Sequence, residues 1–490
     1  MTEQTQVVVV GAGPVGLMLA GELRLRGAAV TVLERRELPS TESRASTLHA
    51  RTMEIFDARG LLDELGTPPQ ESTGHFGGIP LDLVVGSRFP GQWKVPQTRT
   101  EAVLHAWAAA LGADIRRGWR VDAVDDYGGG VEVCAETGGG KRRLRADFVV
   151  GCDGMDSTVR RVRGVEFAGS PATRELLRAD VAGIEIAHRR FERLERGFAT
   201  AVRNPAGITR VMVHRFGSAA AGRTAEPDFA EIVAAWHEVT GEDIGHGKPL
   251  WVNAFDDASR QVRHYRSGRV LFAGDAAHQQ MPSGGQALNL GLQDAVNLGW
   301  KLAAVLGGAP DEVLDSYHRE RHAVGERVLA NIRVQTELLL GGPEVEALRT
   351  TMRELIGLER VRAHLAGMIS GVDVRYPAEP GEHPLLGARL PDLLLREGSS
   401  TTALLRDGRG LVLGFGEQPL DALHKVAGPW SHRVGVAAVR GCGPAATDAV
   451  LVRPDGHVAW AGAAGADLEA VLGRWFGAAR TGEGETWTPM

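Results

Sequence analysis

Three stretches of this 490-residue chain carry residues arranged for ligand chemistry as well as for packing. The first is Gly11-Ala-Gly-Pro-Val-Gly16. Gly11 permits a tight turn out of the apolar run Val7 to Val10. Gly13 lets the backbone approach a pyrophosphate, with Val15 beside it, and Gly16 lets the next helix lie close to the strand. The free N–H groups and partial positive charge of that helix end attract phosphate. Glu34 ends a second apolar run, where it can accept both ribose hydroxyls of an adenosine. A lone GxGxxG says little. Here strand, glycines, helix, strand and acid fall in order, so the sequence predicts a dinucleotide site. Arg35 and Arg36 follow the acid. A 2′-phosphate contact is one reading of them, and solvated surface is the favoured one.

The second stretch is Cys152-Asp-Gly-Met-Asp-Ser-Thr-Val-Arg160, after an apolar strand. Asp153 and Gly154 sit where a strand turns toward a ligand, and Asp156, Ser157 or both can cap the following helix. By itself this reads as a turn and a capped helix at least as well as a site. The third stretch runs from Arg269 through Ala273-Gly-Asp-Ala-Ala-His278 and Pro282-Ser-Gly-Gly-Gln-Ala-Leu-Asn289 to Leu302. Asp275, at a strand end, can hold a polyol hydroxyl. The glycine loop feeds a helix near Gln286, whose free N–H groups suit an anion formed during reaction. His318 and His322 stand one helical turn apart, but the acid of an HExxH site is missing and no metal is expected. The chain has neither a GxSxG elbow nor a Walker A loop.

These residues need elements to hold them. Val7 to Val10, Ala28 to Leu33, Phe148 to Gly151 and Val270 to Phe272 read as short buried strands of a parallel sheet covered by helices. From Glu175 to Val262 the pattern alternates, as in Ile208 to His214 and Leu250 to Phe255, with one helix near Phe229 to Val239. That predicts an inserted antiparallel sheet, and the His75 to Val95 segment is assigned to the same layer. Helices follow at Ala287 to Leu306, Glu312 to Leu340 and Pro343 to Ile369, the last broken near Gly357. Beyond the turn-rich link Tyr376 to Pro391, a small α/β unit has strands near Gly410 to Leu413, Arg433 to Val439 and Ala449 to Arg453 and a helix at Asp467 to Phe476.

Composition narrows the function. Hydrophobic residues are 43% and charged residues 24%, as in an ordinary globular protein. The net charge of −6 argues against nucleic acid as a partner. Of the 55 basic residues only five are lysine, a bias that lowers the weight of any single arginine. Three cysteines without a CxxC pair, no signal-peptide pattern and no long apolar run predict a cytoplasmic protein without a membrane span.

At this level of detail the chain resembles the group A flavoprotein monooxygenases, the para-hydroxybenzoate-hydroxylase-like enzymes. The resemblance rests on GAGPVG with Glu34, CDGMDSTVR, and AGDAAH…PSGGQALN…QDAVNLGWKL, and runs from about Val7 to Ala366. VPQTRTE, HFGGIPLD, HLAGMISGVDVRY, HPLLGARLPD and LVRPDGHVAW resemble the branch that tailors aromatic polyketides. It implies an α/β protein with three units. Residues 1–174 and 263–375 would form a Rossmann-like FAD-binding domain with a helical extension. Residues 175–262, with about 75–95, would form a substrate domain, and 385–490 a thioredoxin-like domain without redox cysteines. It implies non-covalent FAD, NAD(P)H and O2 as co-substrates, and hydroxylation of a small-molecule substrate, a large and mostly planar aromatic polyketide, through a flavin C4a-hydroperoxide. Baeyer–Villiger or epoxidising chemistry, or ligand binding without oxygenation, are the alternatives, and a homodimer stays open.

By the same resemblance Gly11, Gly13, Val15 and Gly16 line the pyrophosphate, and Glu34, with Arg35 beside it, meets the adenosine ribose. Arg44 contacts the flavin, Gln97 the ribityl region, and Val121 the adenine through its backbone. Asp153 and Gly154 serve FAD and NAD(P)H, and Asp275 holds the ribityl hydroxyls. Pro282 and Gly285 shape the loop, and Leu288 and Asn289 present backbone N–H groups to the flavin. His75, Phe76 and Trp93 wall the substrate cavity. No side chain is assigned as catalytic, since the flavin carries the chemistry. Gln279-Gln280-Met281, and QALN in place of QGMN or QGLN, depart from the family pattern on the substrate side. A lone Cys442 cannot cycle a local dithiol. The Cys442→Ser variant is therefore expected to turn over at the wild-type rate in a steady-state assay, and a large loss at full FAD content would place the thiol in the reaction.

Overall fold

The computed structural model describes residues 3–41, 43, 45–378, 383–416, 420–441 and 447–480, so Arg44 and Cys442 lie outside the described residues. The first unit is an eight-stranded sheet. Its central strand Glu3–Val10 is flanked by Val30–Glu34 and Gly140–Gly151, both parallel to it. Asp114–Arg117 extends one side and Val270–Phe272 the other, also in parallel. Val7, Val8 and Val9 are fully buried because both faces are covered, and such strands read as continuous apolar runs. Helix Pro14–Arg24 packs between helices Gln97–Ala110 and Gln286–Leu306.

The inserted sheet has five antiparallel strands, in the order Arg189–Arg193, Gly197–Arg203, Ile208–Arg215, Glu175–Ala182, Lys248–Asp256. One face carries Ala179, Val181, Ala199, Ala201, Val211 and Val213 against helix Phe229–Thr240. Period-2 alternation then sends Leu176, Phe198 and Met212 to the other face.

The His75 to Val95 segment does not join this sheet. Thr73–Phe76 pairs only with Ile79–Asp82 in a hairpin, and Gln92–Lys94 pairs with Thr47–His49 and Gln70–Glu71. Its link to the inserted sheet is made by side chains, such as Arg190 donating to the Thr73 carbonyl at 2.8 Å. Alternation marks a strand but not its partner.

The C-terminal unit is a four-stranded sheet, Val434–Ala438, Gly410–Gly414, Ala449–Val452, Val458–Gly462, with helices Asp421–Ala427 and Ala466–Phe476. The first two strands are parallel and the other pairings antiparallel. The sequence reading lacks Val458–Gly462, which is short and follows the previous strand through a tight turn. No described helix is long and apolar enough to cross a membrane.

Helix Glu312–Leu340 touches every unit. Tyr317 donates to the Phe272 carbonyl of the large sheet at 2.7 Å. Leu338 packs against the hairpin core, and Leu339 against the inserted sheet. Glu320 meets the C-terminal unit, accepting from Arg453 at 2.6 and 2.9 Å and from Lys301 at 2.7 Å. Arg51 and Arg59 reach the same loop, donating to the Asp455 and Pro454 carbonyls at 2.6 and 2.9 Å. The C-terminal unit is therefore docked through buried charge as well as apolar contact.

Burial works against the Glu320 carboxylate, but Arg453 and Lys301 outweigh it and hold its pKa at about 2, below the ordinary 4.5. A depressed carboxylate contributes stability above its unfolded pKa and loses it as pH falls through the folded one. The Glu320→Gln variant is expected to be less stable at pH 7 by about 3–5 kcal/mol, the usual cost of breaking a buried pair. In urea titrations that gap should close between about pH 4.5 and 2. An equal gap at both ends would remove Glu320 from the acid response.

Candidate functional site

The three stretches converge at the carboxyl ends of the parallel strands, where open α/β sheets bind ligands. The Cys152 N–H donates to the Val10 carbonyl at 2.8 Å, and the Ala273 N–H to Gly151 at 3.1 Å. The turn at Gly11 lies so close to the second stretch that a Cβ there would stand 2.4 Å from the Cys152 carbonyl oxygen. With φ at +106° as well, only glycine suits the position. Val15 closes the other side, since a Cβ on Gly274 would meet it at 2.9 Å and one on Gly291 at 2.7 Å.

The crevice between them is open at Gly13. Gly13 caps helix Pro14–Arg24 with no side-chain hydrogen bond, and nothing lies within 4 Å of where its Cβ would be. The first N–H groups of the helix are left for a ligand, and a phosphate can reach them. Glu34 stands at the rim and accepts from the N–H groups of Ala12 at 2.8 Å and Arg36 at 2.9 Å. Each oxygen keeps lone-pair capacity for a hydroxyl. Arg35 is exposed.

Val121 is buried in strand Arg120–Asp126, next to the end of Val30–Glu34, whose Glu34 carbonyl accepts from Trp119 at 2.9 Å. Gln97 opens helix Gln97–Ala110. Its Oε1 accepts from Ala45 at 3.2 Å and its backbone N–H donates to the Ala45 carbonyl at 2.9 Å, which pins the segment entering the crevice.

On the opposite lip, Asp275 is exposed on the turn Gly274–Ala276, directly beyond strand Val270–Phe272. The loop then exposes Pro282 and passes through Gly284 and Gly285 in the left-handed region, φ +64° and +69°. Gly285 caps helix Gln286–Leu306 without a side chain, so the N–H groups of Gln286, Ala287 and Leu288 have no acceptor within the helix. Leu288 therefore offers the N–H expected of it.

The Asn289 side chain has a different task. Its Oδ1 accepts from the His49 N–H at 2.9 Å and Thr52 at 2.7 Å, and its Nδ2 donates to the carbonyls of Gly285 at 2.8 Å and Thr47 at 3.0 Å. It locks the helix end to the segment Thr47–Thr52. His49 adds a bond from Nε2 to the Gly284 carbonyl at 2.7 Å. Its burial, partly offset by that bond, lowers its pKa to about 4 and keeps it neutral.

Asp153 has a local task in the fold. Its Oδ2 accepts from the N–H groups of Thr158 at 2.7 Å and Val159 at 3.1 Å, so it caps the short helix Thr158–Val162 together with Ser157, while Asp156 does not. Its Oδ1 is buried without a partner, and burial raises its pKa. Gly154, at φ +83°, makes the turn.

One group that the sequence reading passed over sets the lower lip. Asp294 is fully buried and accepts from the Gly274 N–H at 3.1 Å and from Arg321 at 2.7 Å, with His278 Nε2 at 2.7 Å. Its spacing from Asp275 was legible, but its partners come from a loop and a second helix.

Above the crevice, the second face of the inserted sheet meets the loop. Leu176, Phe198, Met212 and Phe191 gather with Met281 of the loop and Ile332 and Leu339 of the long helix. His75 reaches this wall, its ring 4.0 Å from that of Phe191. Phe76 points the other way, into a core with Leu81, Leu338 and Ile369, because neighbours on a strand alternate. Trp93 is 7% exposed in the main core, edge-on to Phe89. These two aromatics pack, and the wall residues that replace them were visible only as alternation without a face. Among the described residues no group of three His, Cys, Asp or Glu side chains could hold a metal ion.

Residues 4–332 match the family described as FAD binding domain, and residues 383–479 match the aromatic-ring hydroxylase C-terminal family. The 12-dehydrotetracycline 5-monooxygenase/anhydrotetracycline 6-monooxygenase of Streptomyces rimosus is 41% identical over 96% of this chain and 98% of its own. The solved structure of BexE, studied for oxidation during BE-7585A biosynthesis, is 50% identical with a TM-score of 0.92, covering 97% of this chain and 100% of its own. CabE, an aromatic hydroxylase from angucycline biosynthesis, is 47% identical with a TM-score of 0.92 over the same shares. Motifs, fold and full-length likeness agree, and the chain belongs to the FAD-dependent aromatic-ring hydroxylase family of monooxygenases.

Proposed function

We propose that this protein uses FAD, NAD(P)H and O2 to hydroxylate a multi-ring aromatic polyketide. The observation that carries the reading is the pairing of two helix ends without side-chain caps, at Gly13 and Gly285, with two acids, Glu34 and Asp275, around one crevice. An FAD needs donors for its phosphates, acceptors for its ribose and ribityl hydroxyls, and donors toward the ring edge that gains electrons. The residues present fit that demand. Gly11, Gly13, Val15 and Gly16 would hold the pyrophosphate, Glu34 the ribose, Val121 the adenine edge, and Gln97 and Asp275 the ribityl chain.

Bound FAD supplies redox chemistry and oxygen transfer that side chains cannot. The chain's part is to position and to keep dry. The N–H groups of Gln286 to Leu288 would offer partial positive charge to negative charge on a bound ring, and Asn289 and His49 hold that helix end in place. The wall of Leu176, Phe198, Met212 and Met281 is apolar, so it excludes water and accepts a hydrophobic aromatic face. The relatives named for tetracycline and angucycline chemistry support a multi-ring substrate. Baeyer–Villiger insertion adds the same mass, so NMR of the product separates the outcomes.

Purified protein should be yellow with about one releasable FAD per chain. The Asp275→Ala variant should bind FAD more weakly by about one to two decades, as losing a charge-assisted hydrogen bond costs roughly 1.5–3 kcal/mol. Fluorescence titration of the folded variant checks this, and unchanged affinity would remove Asp275 from the site. For the substrate, NAD(P)H oxidation coupled to product is expected to rise with angucycline- or tetracycline-type aromatics above the rate with hydroxybenzoates. A higher kcat/KM with a single-ring benzoate would overturn the substrate class and leave the FAD reading standing.

A further inference from the structure

Among the described residues, Phe191 alone outside glycine has its backbone in the left-handed region, at φ +52°. A bulky side chain avoids that conformation unless its surroundings impose it. Phe191 lies in edge strand Arg189–Arg193, where the register against Gly197–Arg203 slips between Arg189 and Glu192. Such a bulge re-aims a side chain, and bulges gather beside functional sites.

The strand is tied on every side. Arg189 pairs with Glu192 at 2.5 Å and Glu242 at 3.0 Å. Arg190 pairs with Glu71 at 3.2 Å and bonds the Thr73 carbonyl at 2.8 Å. Arg193 bonds the carbonyls of Leu339 at 2.6 Å and Gly342 at 3.1 Å and pairs with Glu346 at 2.9 Å. These anchors belong to the inserted sheet, the hairpin segment and the long-helix end, so the strained backbone is over-determined.

What the strain achieves is the placement of one ring. Phe191 stacks on Phe198 at 6.3 Å and meets His75 at 4.0 Å. Both Phe191 and His75 are half-buried, and the cluster that Phe191 packs against includes Met281, next to Pro282 of the crevice loop. A ring needed only for packing would be buried and would not require a strained backbone.

We infer that Phe191 determines substrate specificity: with His75 it forms an aromatic wall on which a fused aromatic ring of the substrate stacks. The inference rests on the aromatic-substrate reading above. It accounts for a wall built from an unstrained histidine on a hairpin and a strained phenylalanine on a bulge, brought together only in the fold. Aromatic pairs of this kind prefer offset or tilted contact, and the 44° angle between the two rings leaves a face and an edge to offer.

The test uses FAD-loaded protein and three variants. Phe191→Gly removes the ring and relaxes the backbone, Phe191→Leu keeps apolar bulk without a ring, and Phe191→Tyr keeps the ring. Binding of an angucyclinone is read from the flavin absorption change, alongside KM, kcat and Tm. The Gly and Leu variants are expected to weaken binding about 3- to 10-fold, the size of a lost aromatic contact, and to raise KM more than they lower kcat. The Tyr variant should bind within about 3-fold of wild type. If the Gly variant does not fold, the Leu variant decides. Angucyclinone binding unchanged in the folded ring-less variants overturns this inference alone. A wild-type protein that holds FAD but binds no fused aromatic overturns both this inference and the substrate class.

Discussion

Asp294 lies wholly inside the protein, and its carboxylate is answered by groups from two separate pieces of chain: the Gly274 N–H and His278 of one loop, and Arg321 of the long helix. Burial alone would raise its pKa, but Arg321 and His278 reverse that and hold it below the usual carboxylate range. A buried charge is tolerated only while its partners stay in place. The turn bearing Asp275, the helix Gln286–Leu306 and the long helix Glu312–Leu340 therefore cannot shift independently. The lower lip of the crevice, and the helix end that faces it, depend on this group.

The same logic extends outward along the long helix. Next to Arg321, Glu320 binds Lys301 and Arg453 and so fixes the C-terminal unit to the back of the helix whose first N–H groups are left without a side-chain cap. Further along, Gln335 accepts from Ser283 at 3.3 Å and packs the crevice loop against the hairpin bearing His75. One helix thus sets the relative positions of a cofactor crevice, an aromatic wall and a docked α/β unit. The C-terminal unit is tied in a second place as well, where Arg51 and Arg59 reach the Asp455 and Pro454 carbonyls.

Much of the fold was legible because it rests on local periodicity. The long helix was readable end to end, since 3.6-residue spacing persists from Glu312 to Leu340 and glycines follow it. The all-valine strand before Gly11 and the glycine pattern after it admit few alternatives. Less legible were elements whose sequence lacks a strong period. Helix Gln97–Ala110 opens with five polar residues and is alanine-rich at its other end, so no apolar stripe runs along it, and Val458–Gly462 has two alanines and a glycine among its five residues. The hairpin Thr73–Phe76 with Ile79–Asp82 was readable as extended chain, but not as separate from the five-stranded sheet.

The site divides in the same way. Gly11, Gly13, Glu34, Asp275 and the Gly284-Gly285 turn were determined by the sequence itself, because each acts through backbone freedom, a helix end or a charge at a strand end, all properties of a few consecutive residues. The roles of Asn289 and Asp153 as clamps and caps, the hub at Asp294, and the division of His75 from Phe76 were decided only by the tertiary structure. Each of those depends on partners far away in the chain, and a side chain's hydrogen bonds or stacking surface exist only once folding has brought those partners within reach. Phe191 is the extreme case. Nothing in Arg-Arg-Phe-Glu-Arg marks its third residue as strained, and it is the anchors on three other elements that hold its backbone at positive φ.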